Sequence, residues 1–300
     1  MGTRLSDPGL GANNPAFPAG QTSSFGAPIP VIPLGLGDRH GPIWAPHTQS
    51  FPNGIGTRRM SLADFVGWLP GRRWRQSTTP NGATPMCQSH GLQAGFENEA
   101  WTCSSRTPPY YPDAITLVPN PSVPHLLSRI DASVGCSIKD SFASLDLYSY
   151  GFRVLFDAQW ITRTSNGPQH SEGENQCWGL VRDVDDLASW EQAWRRGDGP
   201  TGIFRAELLD NDSVAILAAR NGDRIVAGAV LNRSSMVVGI SNFFANSGVD
   251  SASRSGCLTF AEWLFPAARF VGYESGDGLG AIRSNGFDTA GPLRVWILES

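Results

Sequence analysis

The stretch that decides the fold begins at Met236 and reads MVVGISNFFANSGVDSASRSGCLTFAEWLFPAARFVGYESGDGLGAIRSNGFDTAGPLRVWILE, ending at Glu299. Apolar runs alternate in it with helical patterns, which predicts the order strand, helix, strand, helix, strand. Gly286 and Phe287 follow the second helical pattern, as a glycine that ends a helix and an apolar residue that packs back on it. The expected strands are 236–244, 269–274 and 293–298, and the expected helices are 255–265 and 277–285.

A hairpin is predicted immediately upstream. The apolar runs 215–220 and 224–231 are joined by Asn221, Gly222 and Asp223. Asn-Gly between two such runs favours a tight turn, because both residues adopt positive φ at little cost. A hairpin followed by a βαβαβ unit is an uncommon order, and it predicts an α/β fold with a mixed central sheet and helices on both faces.

The first third of the chain has a different composition. Fifteen of the 22 prolines fall within residues 1–112. Apolar residues appear there singly, with the period of neither a strand nor a helix. Such a segment has too little apolar surface to offset its ordering entropy, so we expect a largely disordered leader over residues 1–109.

Residues 110–165 are expected to form a half-lobe that packs on the main domain, residues 177–300. The predicted strands are 114–118, 135–138 and 152–161, and the predicted helices are 122–132 and 142–150. Placing Gly151 and Phe152 over Gly286 and Phe287 superposes the first of these helices on residues 257–267. The two segments therefore look like copies of one βαβαβ unit, although a chance alternation of helix and strand accounts for the match equally well.

Composition argues against several classes of protein. The net charge is −4, which leaves no basic field for nucleic acid, and Lys139 is the only lysine. No window approaches the roughly 18 apolar residues of a membrane helix, and the N-terminus lacks the apolar core of a signal peptide. The five cysteines are widely spaced, without the pattern of a zinc site. We expect a cytoplasmic protein with reduced thiols, no metal, and no nucleic-acid or membrane partner.

The order of elements over residues 177–299 resembles the GNAT (Gcn5-related N-acetyltransferase) superfamily. A strand at 177–182 and a helix at 183–196, capped by Asp183, precede the hairpin and the βαβαβ unit. The best match is 269–298, a strand, an alanine-containing helix that ends in Gly-Phe, and a final strand. The resemblance implies an acyltransferase that uses acetyl-coenzyme A as its co-substrate and a small-molecule or peptide amine as its acceptor.

The resemblance also implies where the carrier binds. In this family the fourth and fifth strands part in a V, and the pantetheine amides pair with the fourth strand as an added strand would. The pyrophosphate lies at the start of the next helix, where backbone N–H groups favour an anion. The residues at those positions here are Ile240, Ser241, Asn242 and Phe243 on the strand, and Arg254, Ser255 and Gly256 near the helix.

The sequence departs from the family pattern at two points. The glycines of the segment 246–257 are not at the usual alternating spacing, and Asp250 lies among them. The tyrosine that often acts as the general acid is replaced by Ile282. These departures support an alternative function, a catalytically silent GNAT-like module that binds a ligand or a protein.

Tyr273 and Glu274 are the predicted catalytic residues, because they end the strand where the V opens. Glu274 is a candidate general base with a raised pKa, or alternatively a carboxylate that stabilises the start of the next helix. Ser241 and Asn242 need polar partners in an apolar strand, either the carrier or an internal hydrogen bond. Lys139 and Asp140, at the matching place in the first copy, are predicted to form a surface pair.

Overall fold

The computed structural model describes residues 82–165, 177–196, 199–234, 237–246, 250–276 and 278–299, and the strands in these ranges form one eleven-stranded sheet. The helices are α1 (Ala83–Ser89), α2 (Val123–Leu127), α3 (Val184–Arg195), α4 (Asp250–Leu264) and α5 (Gly278–Ser284). The strands are β1 (Ala94–Phe96), β2 (Ala100–Cys103), β3 (Ala114–Thr116), β4 (Ser137–Asp140), β5 (Phe152–Thr164), β6 (Cys177–Leu180), β7 (Val214–Asn221), β8 (Arg224–Ser234), β9 (Val237–Ala245), β10 (Arg269–Glu274) and β11 (Asp288–Leu298).

The expected leader is wrong over residues 82–109, which form α1 and the hairpin of β1 and β2. Residues 1–81 of that prediction lie outside the described residues. Trp101 of β2 is fully buried, and its Nε1 donates to Thr84 Oγ1 of α1 at 2.9 Å. These residues join a core that includes Trp190 and Ile216. The sparse apolar residues of this segment are therefore ordered by distant partners, which local periodicity does not reveal.

The sheet is nearly symmetric about its centre. Its order is β1-β2-β3-β4-β11-β5-β10-β9-β8-β7-β6. On one side β3 and β4 are parallel, and on the other β9 and β10 are parallel. Outside each parallel pair lies an antiparallel hairpin, β1–β2 or β7–β8. The strand order of the predicted repeat is therefore present in the structure, with β6 added at one edge.

The two halves exchange their last strands. β11 from the second half pairs with β4 of the first, and β5 from the first half pairs with β10 of the second. β5 and β11 then pair with each other in antiparallel register, from Phe152 opposite Leu298 to Thr162 opposite Asp288. Neither half completes its own sheet, so the expected half-lobe and main domain share one sheet.

Two predicted helices are shorter than expected. In place of a helix at 142–150, the buried carboxylate of Asp140 accepts hydrogen bonds from Phe142 N at 3.2 Å and Leu145 N at 2.8 Å. Only a 3-10 turn, Tyr148–Tyr150, follows before Gly151 at φ 85°. The helix expected at 122–132 is the single turn α2.

The N-cap of α3 is confirmed, because the Asp183 side chain accepts from Asp186 N.

Helices cover both faces of the sheet, as predicted. On one face α4 and α5 pack on the apolar side chains of β8, β9 and β10, with Cys257, Ala261 and Ile282 fully buried. On the other face Trp190 of α3 packs edge-on against Phe244 of β9, with ring centroids 5.3 Å apart. β9 and β10 therefore lie between two apolar cores, one on each face of the sheet.

The exchange of strands makes a prediction about the isolated second half. A fragment of residues 177–300 lacks β5, the antiparallel partner of both β10 and β11. We expect this fragment to lack a cooperative thermal transition by circular dichroism, because the edges of β10 and β11 are left unpaired.

A nicked chain is the control. A protease site placed between Ser165 and Cys177, then cut, leaves every described strand pair intact. The two pieces should co-elute in size-exclusion chromatography and unfold in one transition. Independent cooperative unfolding of the 177–300 fragment would contradict the exchange.

Candidate functional site

β9 and β10 separate after three paired positions. Val237, Val238 and Gly239 lie opposite Arg269, Phe270 and Val271. Beyond these, β10 continues to Glu274 along β5, and β9 continues to Ala245 along β8. One backbone edge of residues 240–245 of β9 therefore faces residues 272–274 of β10, and the two stretches have no ladder pairing with each other. We call this gap the wedge.

A bulge in β9 lies beside the wedge. The register with β8 shifts between Gly228 and Val230, which lie opposite Phe244 and Ser241. Asn242, between them, has φ 52°, a conformation that Asn tolerates better than most residues. A bulge bends its strand and leaves its extra residue out of the ladder, so β9 bends within its unpaired stretch.

Side chains cross the wedge on the face covered by α4. Arg254 of α4 lies 3.6 Å from Glu274 of β10, measured from Nη1 to Oε2. Its guanidinium also lies 4.8 Å from the ring centroid of Phe243 on β9. Arg254 is 3% exposed and Glu274 is 1% exposed. The Arg254 side chain therefore contacts both strands that border the wedge, from the face that α4 covers.

This arrangement changes the interpretation of the predicted carrier-binding cation. Arg254 was expected to face an incoming pyrophosphate, and the structure turns it toward Glu274. Ser255 and Gly256 lie inside α4, which begins at Asp250. Their N–H groups face carbonyls of the preceding turn, because only the first residues of a helix keep free donors. Residues 247–249 of the expected phosphate loop lie outside the described residues.

Glu274 lies at the start of the next helix, as the alternative interpretation of this residue predicts. Its Oε1 accepts from Ser275 N at 3.2 Å. A Cβ at Gly278, the first residue of α5, would lie 2.5 Å from Glu274 Cδ. The carboxylate is thus packed against the start of the next helix and paired with Arg254. Its role as a general base stays a prediction.

Polar side chains also meet on the opposite face of the wedge. Asn242 Nδ2 donates to Tyr111 Oη at 3.1 Å and to Ser241 Oγ at 3.3 Å. Ser241 Oγ in turn donates to the Val230 carbonyl at 3.3 Å. Ser241 and Asn242 therefore have the internal partners that one of the two interpretations predicted, while Ile240 is fully buried in the core under α4.

Tyr273 lies on the same face as Tyr111. Its ring packs edge-on against Trp160 at 6.0 Å and over Phe156 at 6.2 Å. Lys139 Nζ lies 4.7 Å from the centre of the Tyr273 ring. The predicted catalytic tyrosine is thus in contact with the amino group of a lysine from the other half of the chain.

The predicted surface pair of Lys139 and Asp140 is wrong. Lys139 is 1% exposed and Asp140 is fully buried. Lys139 lies over the Tyr273 ring, and the Asp140 carboxylate is enclosed by the backbone that follows it. Burial lowers the pKa of Lys139 from 10.5 to about 7, because a low-dielectric environment disfavours its charged form.

Tyr111 and Lys139 are the residues of this region that sequence reasoning missed or misplaced. Tyr111 is 131 residues from Asn242, and no local pattern signals that distance. The available signal for Lys139 was that it is the only lysine of the chain. Ile282, at the family's tyrosine position, is fully buried in the apolar core.

A cavity of about 390 Å³ lies elsewhere, between β2 and α2. Its walls carry an ion-pair cluster, in which Glu97 contacts His125 at 3.0 Å and Arg129 at 2.7 Å. α2, which borders the cavity, has five residues, whereas α4, at the equivalent place in the second half, has fifteen. This cavity is on the helix side of the first half and is separate from the wedge.

Metal and membrane features are absent from the described ranges. No group of three or more His, Cys, Asp or Glu side chains there is arranged to hold a metal ion. None of the helices described is both long and apolar enough to cross a bilayer.

Comparison with known proteins supports the fold. No protein-family model and no curated protein matches the chain. A GCN5-related N-acetyltransferase from Kribbella flavida matches with TM-score 0.50 and 11% identity, over 73% of this chain and 94% of that one. A functionally unknown conserved protein from Staphylococcus epidermidis matches with TM-score 0.50 and 10% identity, over 68% and 93%. The chain has the fold of the GNAT acetyltransferases.

Lys139 gives a testable dependence of stability on pH. Its pKa is lowered in the folded state, so between about pH 7 and pH 10 the unfolded chain binds one proton more. The free energy of unfolding therefore rises with pH in this window, by up to roughly 1.4 kcal/mol per pH unit. Lys139→Met, of similar length and uncharged, should lack this contribution.

Denaturant unfolding of both proteins at pH 7, 8 and 9 measures the effect. The stability advantage of Lys139→Met over the wild type should shrink steadily as pH rises. A constant difference across this range would show that Lys139 keeps its ordinary pKa in the folded protein.

Proposed function

We propose that this protein is an N-acyltransferase that takes an acetyl group from acetyl-coenzyme A and transfers it to the amine of a small molecule or peptide. The observation that carries the proposal is the edge of β9, where residues 240–245 lie beyond the last pair with β10. Peptide-like amides add to such an edge by main-chain hydrogen bonds. Pantetheine contains two amides, so an extended carrier suits a gap between two parallel strands.

The ends of the wedge suit the two ends of the carrier. α4 begins soon after β9 ends, and its first N–H groups favour an anion such as a pyrophosphate. The closed end, at Gly239 and Val271, is where the thioester would stop. There the acceptor nitrogen attacks the carbonyl carbon, a C–N bond forms, the C–S bond breaks, and the thiol leaves with a proton.

A second candidate function is a silent module that binds a different ligand. The observation that favours it is the Arg254–Glu274 contact on one face of the wedge, together with the Tyr111–Asn242 hydrogen bond beside β9 on the other face. An occupant must pass between these side chains. A thermal-shift screen in which acetyl-coenzyme A has no effect and an unrelated compound stabilises the protein would favour this function.

Amide hydrogen exchange with and without acetyl-coenzyme A tests the proposal directly. The carrier should slow exchange at residues 240–245, because their free edge gains hydrogen bonds. Residues 217–220 of β7 form the matched control, since they are already paired on both sides, with β6 and with β8. Calorimetry on the same sample gives the affinity.

Two results would contradict the proposal. One is the absence of heat and of protection at millimolar acetyl-coenzyme A. The other is protection confined to residues around Glu97 and Arg129, which would place the ligand in the cavity of the first half.

A further inference from the structure

The hydrogen bonds around Asn242 fix which group donates to which. Ser241 Oγ donates its proton to the Val230 carbonyl, so toward Asn242 it acts only as an acceptor. The side-chain nitrogen of Asn242, Nδ2, therefore faces Ser241 Oγ and donates one N–H to it. Its second N–H is donated to Tyr111 Oη. Tyr111 is an acceptor in this bond, and its own O–H proton points elsewhere.

That proton has no acceptor among the described residues. Among the described residues, the Tyr111 hydroxyl makes one hydrogen bond, and in that bond it accepts from Asn242. Tyr111 is 5% exposed, and buried hydroxyl protons are usually paired. A buried donor beside the wedge, with its proton uncommitted, is suited to a ligand oxygen.

The tyrosine stays protonated over the physiological range. Burial raises the pKa of Tyr111 above its ordinary value. Tyr111 is hydrogen-bonded to Asn242 on the β9 side of the wedge. The hydroxyl lies near the wedge on the face opposite Arg254.

The loop that carries Tyr111 is held in place before any ligand binds. The Tyr111 carbonyl accepts from Thr107 Oγ1 at 2.6 Å, and its N–H donates to the Pro108 carbonyl at 3.1 Å. Asp113, fully buried, accepts from Thr107 N and Ser137 N, both at 2.9 Å. The first half of the chain therefore positions this hydroxyl on the wedge of the second half.

We propose that Tyr111 is a catalytic residue whose hydroxyl donates a hydrogen bond to the carbonyl oxygen of an acyl thioester held in the wedge. This inference rests on the proposed function. When the acceptor amine adds to the carbonyl carbon, the π electron pair moves onto that oxygen, and the donor stabilises the charge. When the pair returns, the C–S bond breaks and the thiolate leaves. A preorganised donor of this kind typically contributes about 100-fold or more to kcat.

The test is isotope-edited infrared difference spectroscopy of acetyl-coenzyme A bound to the full chain, with the thioester carbonyl carbon labelled. In the wild type the carbonyl band should move to lower frequency than in solution, because a hydrogen bond weakens the C=O bond. Tyr111→Phe should lose most of this shift while calorimetry shows a Kd within about threefold of the wild type. Tyr110→Phe, which removes a neighbouring hydroxyl, is the matched control and should keep the shift.

A second variant keeps the test valid if Tyr111→Phe fails to fold. Asn242→Asp turns the donor beside Tyr111 into an acceptor at a position of positive φ that Asp also tolerates. The Tyr111 proton should then be donated to that carboxylate, and the carbonyl shift should be lost although the tyrosine is present.

The outcomes separate the two proposals. Absence of acetyl-coenzyme A binding to the wild type overturns the proposed function, and this inference with it. Binding with an unshifted carbonyl band overturns the role of Tyr111 alone. So does a shift that survives in folded Tyr111→Phe, or in Asn242→Asp where Tyr111→Phe does not fold.

Discussion

The antiparallel pairing of β5 with β11 is the constraint on which the rest of the structure depends. It joins the two halves over ten paired positions at the centre of the sheet. Each of these strands comes from one half and lies beside the parallel pair of the other half. β10 is therefore held along its full length by β5, and it cannot follow β9 when β9 bends at Asn242. The wedge is the result of one fixed strand beside one bent strand.

The same exchange brings chemistry from the first half to the second. Tyr111 and Lys139 both belong to the first half. Tyr111 accepts a hydrogen bond from Asn242 of β9, and Lys139 lies over the Tyr273 ring of β10. A complete second half by itself would lack these groups. On the other face the Arg254–Glu274 contact is internal to the second half. Breaking such a buried pair leaves an uncompensated charge, which is strongly destabilising, so Arg254 is less suited to release Glu274 for a ligand than a surface arginine would be.

The sequence predicted the second half well because its signals are local. The Asn-Gly turn, the Asp183 cap and the glycine at 286 each specify one element boundary, and the structure has a hairpin, a capped helix and a positive φ at those places. It failed at residues 82–109, where Trp101 is buried by partners far along the chain. It failed again at 142–150, where the Asp140 carboxylate captures the backbone N–H groups that a helix would have used.

The site was predictable only in part, for a related reason. The strand positions around Ile240 and Glu274 follow from element order, and the structure puts them on the two arms of the wedge. Side-chain partners do not follow from element order. The contacts between Arg254 and Glu274 and between Tyr111 and Asn242 depend on how β9 and β10 are packed from each face. Sequence spacing gives no measure of that packing.

The most direct measurement of the central claim is a crystal structure of the full chain with a non-hydrolysable acetyl-coenzyme A analogue. The account predicts an extended pantetheine between residues 240–245 and 272–274, with its amides paired to β9 and its acyl end near Gly239. Strands closed against each other along their whole length, or an analogue bound only outside the wedge, would contradict it.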